Sequence, residues 1–195
     1  MPLPTAYLAP ISWYAHFLSD PAPEVEVMES FPKQTLRNRC TIAGANGTQT
    51  LTVPVRHSET KQLTRDTRIA YREPWQHQHI MALTSAYRHT PFFPYLADDL
   101  LPIYSKQITF LIDFNMQLHD IISKWLQTDR QLSTTEQWSE DKNLDRFFYL
   151  NTPQPQYYQI FAHKNGFCRN LSIIDLIANI GTEANAYLNK LNTQI

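Results

Sequence analysis

The chain has 195 residues, with 17 Lys and Arg against 18 Asp and Glu, two Cys, 13 Pro and only four Gly. A net charge of −1 gives no general pull toward nucleic-acid phosphates, and no run approaches roughly 18 uncharged apolar residues, so neither nucleic-acid binding nor a membrane span is expected. The glycines form neither a Walker A loop nor a dinucleotide fingerprint, and the length suits one core and a single domain over 1–195 that buries roughly 70% of the unfolded surface.

The start, Met1-Pro2-Leu3-Pro4, has no positively charged stretch ahead of an apolar one, so no signal peptide is expected. The expected location is cytoplasmic, with Cys40 and Cys168 reduced. Residues 5–8 read as a short buried strand, ended by Pro10. Ile11 to Leu18 read as a helix with Trp13, Tyr14, Phe17 and Leu18 crowded together. Asp20-Pro21-Ala22-Pro23 stops it, since a residue before proline leaves the helical region. Glu24-Val25-Glu26-Val27 alternates and predicts a strand with one wet face.

Arg39–Ala43 and Thr50–Val53 flank Ala45-Asn46-Gly47-Thr48, where Asn-Gly predicts a hairpin with a type I′ turn. Residues 56–66 read as a polar exposed loop, and Arg68–Tyr71 as a short strand. Pro74 opens a helix whose stripe is Trp75, His79, Leu83 and Tyr87. A shorter helix runs from Phe92 to Leu101. A longer one runs from Ser105 to Trp125, with Ile108, Leu111, Asn115, Leu118, Ile122 and Trp125 inward. Residues 127–156 are weakly patterned and read as the mobile segment, with Phe147–Leu150 docked. Tyr157–Phe161 reads as a strand. Ser172 and Asp175 form a capping-box pattern ahead of a helix that ends near Gly181, and a last helix carries Ala184, Leu188 and Leu191. The expected fold is α/β, a mixed sheet that includes the hairpin, with about five helices and a Rossmann-like arrangement as one form it could take.

Seven segments in order resemble the WbqC-like family. They are Leu8–Tyr14, Phe31–Cys40, Leu51–Val55, Trp75 with His79, Ser85-Ala86-Tyr87 with Pro91-Phe92-Phe93, Asp113-Phe114-Asn115, and Asn170–Ile177. The chain looks most like the compact version of the family found in Bacteroidetes. It departs from the family pattern at Arg169, where members often carry Pro, which bears on the loop at 166–170. The family's name comes from sugar-antigen gene clusters. The resemblance implies transfer of glycine or another small acyl group to a sugar.

Several residues could carry such chemistry, and each also has a structural reading. Lys33, Arg37 and Arg39, with Asn38 between them, could hold phosphate or carboxylate, Arg by its two-pronged fork, or could form a solvated basic strand edge. A strand leading into a loop and the first helix is where Rossmann-like folds place phosphate, an analogy of fold alone. His79 could act as a general base or sit hydrogen-bonded at the core's edge. His77 lies about 200° from it on a helix, so the pair cannot chelate one metal, and no structural zinc is expected. Asn115 interrupts an apolar stripe and either satisfies backbone or faces a pocket. Asn170 stands before a helix start, where it could meet a ligand.

Two functions follow. One is a transferase that moves a small acyl or aminoacyl group to a sugar or related acceptor. There Lys33, Arg37 and Arg39 hold an anionic donor, His79 is the base, and Tyr14, Trp75 and Tyr87 wall the acceptor. The other is a non-catalytic ligand-binding or adaptor protein that uses the same cleft. The sequence assigns no cofactor, no protein metal site and no oligomeric state.

Overall fold

The computed structural model describes residues 1–57, 60–138, 143–150 and 153–192. The α/β expectation holds. Strands β1 (Leu3–Pro4), β2 (Glu24–Glu26) and β5 (Ser133–Thr134) form a parallel sheet in the order β1-β2-β5. Parallel neighbours need a crossover, and α1 (Ile11–Ser19) supplies the one between β1 and β2. Pro4 sits in β1, the edge strand, where a missing N–H breaks no ladder.

Strands β3 (Arg39–Gly44) and β4 (Gly47–Thr52) form the antiparallel hairpin. It does not join the sheet, a correction to the expected mixed sheet. The outer edge of β3 is already used: the Thr41 carbonyl accepts from the Ser172 amide at 2.8 Å, and the Ala43 amide donates to the Tyr87 hydroxyl at 3.2 Å. The turn also differs from the expected type. Ala45 and Asn46 connect the strands, and the positive φ falls on Gly47 alone (115°), not on two central residues as type I′ requires. That pattern fits a type I turn followed by a glycine bulge.

Among the described residues the helices number seven rather than about five. They are α1, α2 (Trp75–Tyr87), α3 (Phe93–Leu100), α4 (Leu111–Trp125), the single turn α5 (Ala162–Asn165), α6 (Ile173–Ile180) and α7 (Glu183–Asn192). The expected stripe of α2 is buried at all four positions. α4 begins later than its apolar spacing predicts. The chain ahead of it is pinned in extended form, with Ile69 N–H on the Thr109 carbonyl and Leu111 N–H on the Thr67 carbonyl. Tyr157–Phe161 forms no strand. Its polar side chains, rather than its backbone, tie it to α6. Of the stretch 127–156, residues 139–142 and 151–152 lie outside the described residues. Phe147 and Phe148 are buried, and Ser12 Oγ donates to the Phe147 carbonyl.

α1 is buried nearly all round, which makes it the central helix of the core. Its N-terminus is closed. Pro10 cannot cap it, so Asn170 Oδ1 accepts from the Ser12 amide at 2.9 Å and the Leu171 carbonyl from the Ile11 amide at 3.0 Å. The place where a Rossmann-like arrangement would bind phosphate is therefore filled by the chain itself.

Candidate functional site

The segment from Glu29 to Arg39 sets the site. After β2 the chain turns through Gln34, whose φ is 60°, and re-enters at β3. Arg37 is 2% exposed and faces inward. Its Nε and one terminal nitrogen bind the Glu29 carboxylate at 2.5 and 3.0 Å, and the other terminal nitrogen binds Asp145 at 2.8 Å. The guanidinium also lies over the Phe148 ring. Burial pushes the Glu29 carboxyl up from its ordinary value, and the Arg37 bond opposes that shift.

The Arg37 carbonyl and Thr5 Oγ1 both accept from Asn115 Nδ2, at 2.9 and 3.0 Å. Asn38 Nδ2 donates to the Val53 carbonyl at 2.9 Å, and the Val53 amide donates back to the Asn38 carbonyl. Arg37 and Asn115 thus fix the turn from behind.

In front of this base lies a cavity of about 460 Å³. Lys33, Gln34, Asn38 and Arg39 form one wall, Val55, Arg56 and His57 a second, and Thr60, Lys61 and Gln62 a third. Backbone pairing joins the walls: Phe31 N–H donates to the Gln62 carbonyl at 2.9 Å, and Arg56 N–H to the Arg68 carbonyl at 2.8 Å. Among the described residues no carboxylate lines the cavity. Arg39 Nε and Asn38 Oδ1 are both buried with no hydrogen-bond partner. Four cations facing one space suit a ligand of more than one negative charge. A second cavity of about 680 Å³ shares Val55, Arg56 and His57 with the first and is bounded by Tyr71, Arg72 and Glu73.

The other expected site residues lie elsewhere. His79 is 4% exposed and does not line either cavity. Its Nδ1 meets the Tyr7 hydroxyl at 2.8 Å, Tyr7 meets Tyr104 at 2.6 Å, and the ring also bonds the Thr52 backbone. Burial lowers its pKa to about 4. A general base must reach a substrate proton, and a buried ring packed against Tyr7, Trp75 and Tyr104 offers no open face to one. The assignment of His79 as the base is therefore corrected: it shares no cavity with Lys33 and Arg39.

Tyr14, Trp75 and Tyr87 are 2%, 2% and 0% exposed, so as core residues they offer no open wall to an acceptor. Tyr14 stacks on His119, Trp75 Nε1 donates to the Ala70 carbonyl, and Tyr87 holds the hairpin edge. Asn170, at φ 51°, caps α1 and donates from Nδ2 to the Phe148 carbonyl at 2.6 Å. Ser172 is the cap of α6, accepting from the Ile174 amide. Asp175 is buried among Tyr157 and Gln159, and burial raises its carboxyl to about 6 against the Tyr157 bond. Burial likewise pushes the Cys40 thiol up, away from the reactive thiolate. The described residues hold no cluster of three or more His, Cys, Asp or Glu that could bind a metal ion.

Sequence reasoning missed Arg56, His57 and Lys61, which it placed in an exposed loop. The signal available was a run of cations with few carboxylates. What makes it a wall is the pairing of residues 30–31 with 62–63, a contact across thirty residues.

Comparison with known proteins agrees with the motifs. Neither the curated proteins nor the solved structures contain a match to the chain. No helix among the described residues is long and apolar enough to cross a membrane. The family model for the WbqC-like protein family matches residues 28–152, a span that holds every wall of the cationic cavity and leaves the motifs at 8–14 and 170–177 outside it. That match covers more than half of the sequence, and the chain belongs to the WbqC-like protein family.

Proposed function

We propose that the chain holds an anionic small molecule in this cavity, as the donor of a small acyl or aminoacyl group passed to a sugar or related acceptor. The reading rests on one observation above the rest. Lys33, Arg39, Arg56 and Lys61 line a single cavity, and none of the four forms an ion pair with a described carboxylate. Lys33, Arg56 and Lys61 are exposed and Arg39 is half-buried, and a concave lining of one sign focuses a positive field that draws in an anion.

In this reading His57, common to both cavities, takes the place that His79 cannot fill. The acceptor rests against Tyr71 in the second cavity. Its hydroxyl or amine attacks the acyl carbonyl, forming the new C–O or C–N bond. The bond to the donor's anionic leaving group breaks, and that group departs with the electron pair. His57 takes the acceptor's proton and passes it to the leaving group. The reaction belongs, in this reading, to polysaccharide assembly, as the family resemblance implies, and to the cytoplasm, as the expected lack of a signal peptide suggests.

The burial of His79 favours a second reading, ligand binding without transfer. A single-turnover assay with acyl-phosphate, acyl-CoA and aminoacyl donors against amino- and hydroxy-sugars separates the two. Transfer that falls about 10²–10⁴-fold in His57→Ala, with donor binding kept, supports the transferase. Donor binding with no transfer to any acceptor supports the non-catalytic reading.

A further inference from the structure

The cationic cavity carries more information than the sign of its charge. We propose that its ligand is a diphosphate ester joined to a flat ring, the chemistry shared by nucleoside diphosphates, nucleotide sugars and coenzyme A. This rests on the anion-binding part of the proposed function and not on the transfer step.

Charge supplies the first argument. Lys33, Arg39, Arg56 and Lys61 bring four positive charges to one space, and His57 stands beside them. A monocarboxylate would neutralise one of them and leave the others facing each other. A diphosphate ester brings two or three negative charges spread over several oxygens, enough to serve two guanidinium forks and two ammonium groups together. Geometry adds to this. Arg39 Nε is buried without a partner, a donor built into the wall and aimed at nothing in the protein.

The second argument comes from the neutral part of the lining. Phosphate alone needs no apolar wall, yet Phe31 and Val55 line this cavity. An aromatic side chain in a lining of cations suits a planar heterocycle. Asn38 lines the same space with a buried, unpartnered Oδ1, an acceptor that a ring amine or a ribose hydroxyl can satisfy. Its amide is oriented by the Nδ2 bond to Val53, so the acceptor is fixed in place. The volume of about 460 Å³ falls within the range of about 300–1,000 Å³ typical of ligand and cofactor sites. Among the described lining residues no glycine loop or free helix N-terminus contributes, so side-chain cations carry the binding, and it should weaken steeply with salt.

Titration calorimetry on the full chain at low salt tests this with ADP, UDP-glucose, coenzyme A, inorganic pyrophosphate and, as a carboxylate of comparable charge, tricarballylate. The expected result is binding of the diphosphate esters, weakened about tenfold or more by Arg39→Gln and by Lys61→Gln. Phe31→Ala should weaken ADP and leave pyrophosphate unchanged. The three esters rank the sources: preference for coenzyme A, for UDP-glucose or for ADP says which one the cavity serves. Thermal melts of each variant confirm that the fold is intact. Equal binding of tricarballylate and ADP overturns the diphosphate proposal while leaving an anionic donor standing. No binding of any ligand at low salt overturns both. Tight ADP binding with no transfer to any acceptor leaves this proposal intact and removes the transferase alone.

Discussion

Arg37 and Arg39 lie two residues apart in one basic run and have opposite jobs. The Arg37 guanidinium is buried, forked onto Glu29 and tied to Asp145, while Arg39 presents an unpartnered Nε at the cavity wall. Removing one partner of a buried pair strands the other charge, so Arg37→Ala should cost about 3–5 kcal/mol in urea denaturation. Arg39→Gln should change stability by about 1 kcal/mol or less, because no ion pair is lost. Comparable losses in the two variants would mean that Arg39 is structural as well. The sequence shows that cations cluster here. It does not show which of them turn inward, because that depends on Glu29 and Asp145, the latter far along the chain. Asn115 and Asn170 follow the same logic: Asn115 donates from Nδ2 to the Arg37 carbonyl, and Asn170 serves the Ser12 amide and the Phe148 carbonyl, all backbone groups of distant segments.

At the level of elements, strong local signals survive and nonlocal ones do not. The α2 stripe, the hairpin, the Ser172 cap and the α1 helix are all legible, since each rests on spacing or turn chemistry within a few residues. The strand expected at 157–161 and the early start of α4 are not, because tertiary partners decide them. The loop at 56–66 is exposed as expected at Arg56, His57, Thr60 and Lys61, and what the local signal leaves out is that pairing of residues 30–31 beside it makes these residues a cavity wall. Glycines make the distinction testable. Gly47 and Gly181 both have positive φ, at 115° and 60°, so any side chain is strained at either. A Cβ at Gly47 would meet open space, whereas one at Gly181 would lie 2.6 Å from the Phe92 ring. Gly47→Ala should therefore cost about 1 kcal/mol, and Gly181→Ala about 1–3 kcal/mol more as α3 and α6 are pushed apart. Equal costs in thermal or urea melts would show that Phe92 gives way freely.

Over the whole molecule, buried histidines tie stability to pH. Burial holds both His79 and His119 near about 4, against about 6.5 when unfolded. Between those values the unfolded chain binds more protons, so stability is full above about pH 6.5 and is lost as pH falls toward about 4. Each histidine contributes on the order of 2–3 kcal/mol to that loss. Asp175, raised to about 6, acts the other way: its burial penalty disappears as pH falls below about 6. Glu29, also raised by burial, acts with Asp175, and His16, also lowered, acts with the other histidines, so three histidines against two carboxyls leave a net loss on acidification. The melting temperature should drop between pH 7 and pH 4.5, and the drop should shrink in His119→Gln whatever that variant's stability at pH 7. An unchanged drop would place the acid sensitivity elsewhere.

The most direct test of the central claim is an amide NMR titration of the full chain with inorganic pyrophosphate at low salt. If the cavity is the anion site, shifts concentrate at residues 30–34, 38–39, 55–57 and 60–62, and Arg39→Gln weakens them together. Shifts confined to other surfaces, or none at concentrations that saturate ordinary phosphate sites, would contradict the account.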